Sequence, residues 1–213
     1  NSLGKITMEG FDKDDIPSDI TDGITTGSNA GILLQPPMVT EVTAATTPTK
    51  DNTPSYTFKS SKAGTITYGG SCSSSSTSAT ADNITITFNT LSDGTYSNCT
   101  LYVTSSTGAK GNTLSVTPFT IDITAPTVNS FTLSDTALKA GDNATVTLEF
   151  SEAVLGFASD DDITADNGSL PAMASNDNTT WFGTFTPRTN TEEDNNTLSL
   201  ATSYTDLAGN AGT

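Results

Sequence analysis

The sequence contains no histidine. That absence removes Ser–His–Asp and Cys–His nucleophile pairs, and with them every histidine-ligated metal site. Its two cysteines are too few for a cysteine zinc site or an iron–sulfur cluster. Basic side chains are scarce: 8 Lys and Arg stand against 24 Asp and Glu, a net charge of −16. Such a chain does not neutralise phosphates, so nucleic acid is not an expected partner, and anionic membrane surfaces repel it. No apolar run approaches the roughly 18 residues of a membrane-spanning helix. The longest candidate is Ile32-Leu33-Leu34, so direct membrane insertion is not expected. No leader peptide or initiator Met is visible, and the chain reads as a mature protein or as a piece of a longer one.

What is present is patterned. Hydrophobic residues make up only 33% of the chain, low enough to suggest disorder, but they alternate with Thr in runs of period two. Tyr56-Thr57-Phe58, Ile84-Thr85-Ile86-Thr87-Phe88 and Val146-Thr147-Leu148-Glu149-Phe150 each put one apolar and one polar face on an extended chain. Threonine is β-branched and suits strands. Turn signals such as Gly69-Gly70, Asp93-Gly94, Gly111-Asn112, Asn167-Gly168 and Gly209-Asn210 recur about every 8–12 residues, a spacing that predicts β-sandwiches. No stretch has a helical period. The expected strands cover 38–45, 55–60, 64–69, 83–89, 95–104 and 113–121, with an ill-defined one in 72–80. A second set covers 127–133, 143–151, 162–166, 169–175, 180–186 and 197–204. Pro126 stiffens an extended connector between the two sets. The organisation is therefore an acidic, Gly-rich tail over 1–37, a first module over 38–122 and a second over 123–213. The two modules share an order of elements, each with a late Gly-Asn loop. About ten residues of strand follow that loop in the first module, whereas Thr213 lies three residues past it in the second, which predicts a second sandwich without its last strand.

Both modules resemble the bacterial immunoglobulin-like domains found in tandem in large secreted surface adhesins. In the first, the resemblance lies in Thr53-Pro54-Ser55-Tyr56-Thr57-Phe58, Ala63–Tyr68, Leu91–Tyr96 and Phe119–Asp122. In the second, it lies in Thr124-Ala125-Pro126, Phe150-Ser151-Glu152 and Thr205-Asp206-Leu207-Ala208-Gly209-Asn210. It implies an all-β fold of two tandem Greek-key sandwiches, a location outside the cell on a bacterial surface, Ca2+ at module junctions, and a mechanical or adhesive role. The first module departs from the Asp-x-x-Gly-Asn loop of that family, since Ser105-Ser106-Thr107-Gly108 stands where an aspartate is expected.

An immunoglobulin-like topology brings the linker before the second module, its B–C loop and its F–G loop to one pole. Asp122 lies in the linker, Glu152, Asp160, Asp161 and Asp162 bracket the B–C loop, and Asp206 and Asn210 lie in the F–G loop. Gathered acidic oxygens repel one another unless a cation sits among them, and Ca2+ takes 6–8 oxygen ligands of this chemistry. The competing expectation is a solvated acidic surface. A second acidic string, Asp12, Asp14, Asp15, Asp19 and Asp22, lacks EF-hand spacing, because Ile16 stands where the third oxygen donor belongs, and reads as an acidic linker. Carboxylates in a row on a loop do not suggest a glycosidase, and no enzyme is expected. Cys72 and Cys99 are expected to form one disulfide that pins the serine-rich 72–80 segment, contributing about 3 kcal/mol in the chain-entropy model. Tyr96, following Leu91 and Asp93-Gly94, resembles the tyrosine corner of Greek-key sandwiches. Trp181 and Phe185 should share one face of a strand, with Phe182 on the other.

Three roles are compatible with these features. The first is a calcium-stiffened structural module of a surface adhesin, joined to further Ig-like modules and to a surface carbohydrate or protein ligand. The second is a pilus-like filament subunit whose N-terminal segment, through Ser2, Leu3, Lys5, Ile6 and Met8 or through Ala30–Gln35, donates a strand to the open second sandwich of a neighbouring copy, the competing expectation being a longer protein in which the missing strand follows Thr213. The third is a carbohydrate-binding module with Trp181 as its platform.

Overall fold

The computed structural model describes residues 35–189 and 195–213. The expected strand donor (Ser2, Leu3, Lys5, Ile6, Met8) and the acidic string Asp12–Asp22 lie outside the described residues. The chain is all-β, built from antiparallel sheets with a single helical turn among the described residues. It divides into two compact units: residues up to Ala44 with Ser55–Thr87 and Asn98–Val116, and Ala45–Pro54 with Phe88–Ser97 and Thr117–Thr213.

The first unit holds two sheets. In one, β1 (Val39–Thr43), β2 (Ser55–Ser60) and β5 (Asn83–Thr87) run in the order β1-β2-β5. In the other, β3 (Gly64–Gly69), β4 (Ser78–Ala79), β7 (Thr100–Ser105) and β8 (Leu114–Ser115) run in the order β4-β3-β7-β8. The period-two pattern does what alternation requires. Tyr56, Phe58 and Ile86 from one sheet and Ile66, Leu101 and Val103 from the other are buried, while the Thr side chains between them point outward. Cys72 and Cys99 are joined as a disulfide with their Cα atoms 5.2 Å apart, which ties the segment before β4 to the residue that precedes β7.

In the second unit, β6 (Gly94–Tyr96) pairs with β9 (Phe119–Ile121), and Thr49 bridges Ile121 in parallel. The rings of Phe88 and Tyr96 stack on Phe119 at centroid distances of 5.7 and 5.4 Å. The Tyr96 hydroxyl donates to the Ser92 carbonyl at 2.9 Å, the back-bond of a tyrosine corner. Tyr96→Phe keeps the ring stack and removes only that bond, so a loss of about 1 kcal/mol in chemical denaturation is expected.

The remainder of this unit is a sandwich. One sheet has the order β10 (Val128–Leu133), β11 (Ala144–Phe150), β15 (Thr180–Pro187), β13 (Gly168–Ser169), with β14 (Ala174–Ser175) also on β15. Opposite lies the ribbon of β12 (Ile163–Ala165) and β16 (Leu198–Leu200). The core is aromatic: Phe150, Phe185 and Tyr204 are at most 1% exposed, and Phe157 meets Phe150 and Trp181 edge-on.

Several expected strands are shorter than the alternation suggested. The run 113–121 breaks into β8 and β9 around Pro118, which has no N–H for a ladder. The run 95–104 divides into β6 and β7. The run 169–175 is interrupted between β13 and β14, where Pro171 falls. One helical turn, α1 (Ser159–Asp162), was not expected at all. Its signal is local: the Asp162 carboxylate accepts the Ala158 N–H at 2.8 Å, and acidic residues fill the first turn, where the helix dipole favours them.

Candidate functional site

Three hydrogen-bonded contacts in the second unit gather distant segments at one end of its sandwich. Ser151, just past β11, donates its N–H to the Thr127 carbonyl at 2.8 Å and accepts the Thr127 N–H on its Oγ at 3.0 Å, which fixes the incoming linker beside Glu152. Leu155 and Thr205 exchange a pair of backbone bonds at 2.7 and 3.0 Å, which brings the loop after β11 to the loop around Asp206. Asn210 donates its Nδ2 to the Asp122 carbonyl at 2.8 Å and closes the third side.

The result is a group of three carboxylates. Oxygens of Asp122, Glu152 and Asp206 lie within 4.8 Å of one another, with Asp206 buried and the other two half-buried. Asp206 is held in place. Its Oδ1 accepts the Asn210 N–H at 2.8 Å and its Oδ2 accepts the Asn210 amide at 2.6 Å, while its own N–H donates to the Asn210 carbonyl. The loop can fold back in this way because Gly209 adopts φ +89°, a conformation that side-chain-bearing residues rarely take. Two like charges 4 Å apart repel by about 1 kcal/mol in water and about 4 kcal/mol near a protein surface. The Glu152 carboxyl is accordingly raised above the ordinary glutamate range, first by burial and then by the charges of Asp122 and Asp206.

Four of the seven residues expected at this site are therefore together: Asp122, Glu152, Asp206 and Asn210. Asp160, Asp161 and Asp162, the other carboxylates expected at this pole, are not part of the group. They form the helical turn α1, where Asp160 and Asp161 face solvent. Asp162 is buried and already committed, accepting from Ala158 N–H and Ser203 Oγ on its carboxylate and from Ala201 N–H on its carbonyl. Asp-rich composition made these residues look like ligands, but winding the backbone into a turn divides them between solvent and local hydrogen bonds.

Two neighbours were not anticipated. Lys50 Nζ donates to the Gly209 carbonyl at 2.6 Å. Asp93 accepts the Ile123 N–H and the Thr124 hydroxyl, each at 2.6 Å, and so clasps the linker one residue beyond Asp122. These bonds hold its carboxyl below the ordinary range, the Thr124 hydroxyl contributing most. Lys50 and Asp93 are far from the linker in sequence, and although Asp93 belongs to the Asp93-Gly94 turn signal, nothing in that signal points to the linker.

Trp181 is half-buried and packs edge-on against Phe157 at 4.8 Å, a core role, whereas Phe182 is 55% exposed on the opposite face of β15. No helix among the described residues is long and apolar enough to cross a membrane.

The donor set suits a hard cation. It is all oxygen, it carries up to three negative charges, and neither histidine nor a free thiol accompanies it. When the chain is compared with known proteins, residues 122–213 match the family model of a bacterial Ig-like domain. No curated protein and no solved structure matches the chain. The match covers the sandwich that carries the carboxylate group and begins at Asp122. Bacterial Ig-like domains are generally non-catalytic structural modules, typically extracellular or surface-exposed, which points to a structural or adhesive role outside the cell.

Proposed function

We propose that the chain is a calcium-stiffened structural element of a bacterial cell-surface adhesin, with Asp122, Glu152 and Asp206 holding Ca2+ at the entrance to the second sandwich. The observation that carries this reading is the convergence of three carboxylates from the linker and from the two loops joined by Leu155 and Thr205. A bound Ca2+ supplies charge neutralisation and a cross-link. The residues do the rest: Asn210 orients Asp206 and fastens the Asp122 backbone, and Asp93 holds the linker that follows. The three carboxylates would supply part of the 6–8 oxygen ligands that Ca2+ takes, and other protein oxygens or water would have to supply the rest. The expected consequence is a linker that cannot swivel freely, the property a stalk under tension needs.

Calorimetric titration with CaCl2 tests this. Wild type should bind, Asp206→Asn should bind at least tenfold more weakly, and Asp160→Asn, on the exposed turn, should bind like wild type. No binding heat at millimolar Ca2+, or an equal loss in both variants, would remove the reading.

A second reading, a filament subunit assembled by strand donation, is favoured by one observation. Among the described residues no strand pairs with the outer edge of β16.

A further inference from the structure

The outer face of β15 carries an aromatic ring that the core does not use. Phe182 is 55% exposed, while Phe185 is buried and Trp181 packs against the core. The pairing around Phe182 is complete: Thr147 of β11 lies opposite it on one side and Ala174 of β14 on the other. Its exposure is therefore not that of an empty strand position. A single exposed apolar side chain is ordinary by itself. This one borders a depression of about 190 Å³, whose other walls are Ala174, Ser175, Asn176, Asp177 and Thr180. The methyl group of Ala174 is too short to cover the ring from the side of β14.

The hairpin tip between β14 and β15 forms the polar wall, and it is pinned. Asp177 Oδ1 accepts the Ser175 hydroxyl at 3.1 Å and the N–H groups of Thr179 and Thr180 at 2.9 Å each. These bonds hold the Asp177 carboxyl below the ordinary aspartate range, the Thr180 N–H contributing most. Phe150 and Val154 donate their N–H groups to the Thr179 and Asn178 carbonyls, each at 2.9 Å, and so tie the tip to the rest of the sandwich. A wall fixed in advance loses little conformational freedom when a ligand arrives.

The lining defines the ligand. Asp177 and Asn176 are exposed, and neither Asp177 Oδ2 nor the Asn176 amide has a hydrogen-bond partner among the described residues. The first is an acceptor only, and the second supplies donors as well as an acceptor. No basic side chain lines the depression, and exposed Glu149 lies opposite Thr180, so an anionic ligand is repelled. A bare cation suits the ring and the carboxylate but leaves the Asn176 donors unmatched. A neutral sugar ring matches the whole set. Its C–H face covers the aromatic ring, and its hydroxyls both donate to Asp177 and accept from Asn176.

We propose that this depression is a subsite for a neutral pyranose, with Phe182 as the stacking platform and Asn176 and Asp177 as the hydrogen-bonding wall. Phe182 thus takes the platform role that the sequence suggested for Trp181. The volume is below the roughly 300–1,000 Å³ of drug-sized pockets, which limits the occupant to about one ring and the Kd to the order of 1 mM. The chain then holds a ligand as well as bearing load. This subsite shares no residue with the carboxylate group, so either can fail while the other stands.

The test is amide NMR of the full chain, titrated to tens of millimolar with methyl β-glucopyranoside, methyl β-galactopyranoside, methyl α-mannopyranoside and, separately, choline chloride. At least one glycoside should give saturable shifts at residues 174–182. Phe182→Ala should weaken that binding at least tenfold, Phe182→Tyr should restore it, and Thr184→Ala, outside the depression, should bind like wild type. No saturable shift with any glycoside would overturn the proposal. Binding that survives Phe182→Ala would place the sugar elsewhere and overturn it too. Saturation by choline alone would make this a cation site, which also overturns it.

Discussion

Excess Ca2+ is expected to raise the melting temperature of the second sandwich by about 10–20 °C over the chelated protein. At a free concentration 100 times Kd, binding to the folded state alone contributes about 2.7 kcal/mol, and about 4–8 °C accompanies each kcal/mol in a domain of this size. Scanning calorimetry in EDTA and in CaCl2 measures the difference, and equal melting temperatures would end the metal reading. The pH dependence gives an internal control. The folded pKa of Glu152 is raised, so folding takes up a proton there. The associated stability is fully present below the unfolded value of Glu152 and is lost as pH rises through its folded value. In EDTA, wild type should therefore gain stability relative to Glu152→Gln as pH falls from 7 toward the unfolded glutamate range. With Ca2+ present the carboxylate is kept ionised and that relative gain should vanish. Parallel pH curves for the two proteins in EDTA would contradict the strained carboxylate group.

Loss of the disulfide should be the second large effect. Cys72 and Cys99 are 27 residues apart, and opening that loop returns chain entropy to the unfolded state worth about 3 kcal/mol. Cys72→Ala/Cys99→Ala should lower the first unit's melting temperature by about 15 °C. Both cysteines are buried, at 4% and 1% exposure, so the double alanine variant also loses some packing. Comparison with the reduced wild type separates the two contributions. A reduced protein that melts with the oxidised one would show that the serine-rich segment before β4 is held by its other bonds, such as Ser74 Oγ to the Thr87 carbonyl.

Much of this was legible in the residues. Alternation of apolar residues with Thr located most strands within a few positions, because side-chain period in an extended chain is a local property. β2 and β3 fall at the expected 55–60 and 64–69. Two of the strands that came out shorter, 113–121 and 169–175, are those where Pro118 or Pro171 removes a ladder donor, information that was in the sequence but that alternation alone overrides. The excluded chemistry was also legible, since the absence of histidine and the excess of acid are compositional facts.

The membership of the carboxylate group was only partly legible. Topology placed Asp122, Glu152, Asp206 and Asn210 at one pole, and the fold brings them together. No reading of the chain separates Asp160, Asp161 and Asp162 from them. That outcome turns on a single helical turn and on Ser203, 41 residues from Asp162 in the chain. Lys50 and Asp93 reach the linker and its loop through strand pairings that no local pattern encodes. The sequence by itself determined an acidic, histidine-free β-sandwich protein with one disulfide to form, because composition and period-two alternation act residue by residue. The tertiary structure alone decided which carboxylates face one another and which sheet edges are unpaired among the described residues. Both depend on where backbone hydrogen bonds place segments that lie far apart in the chain.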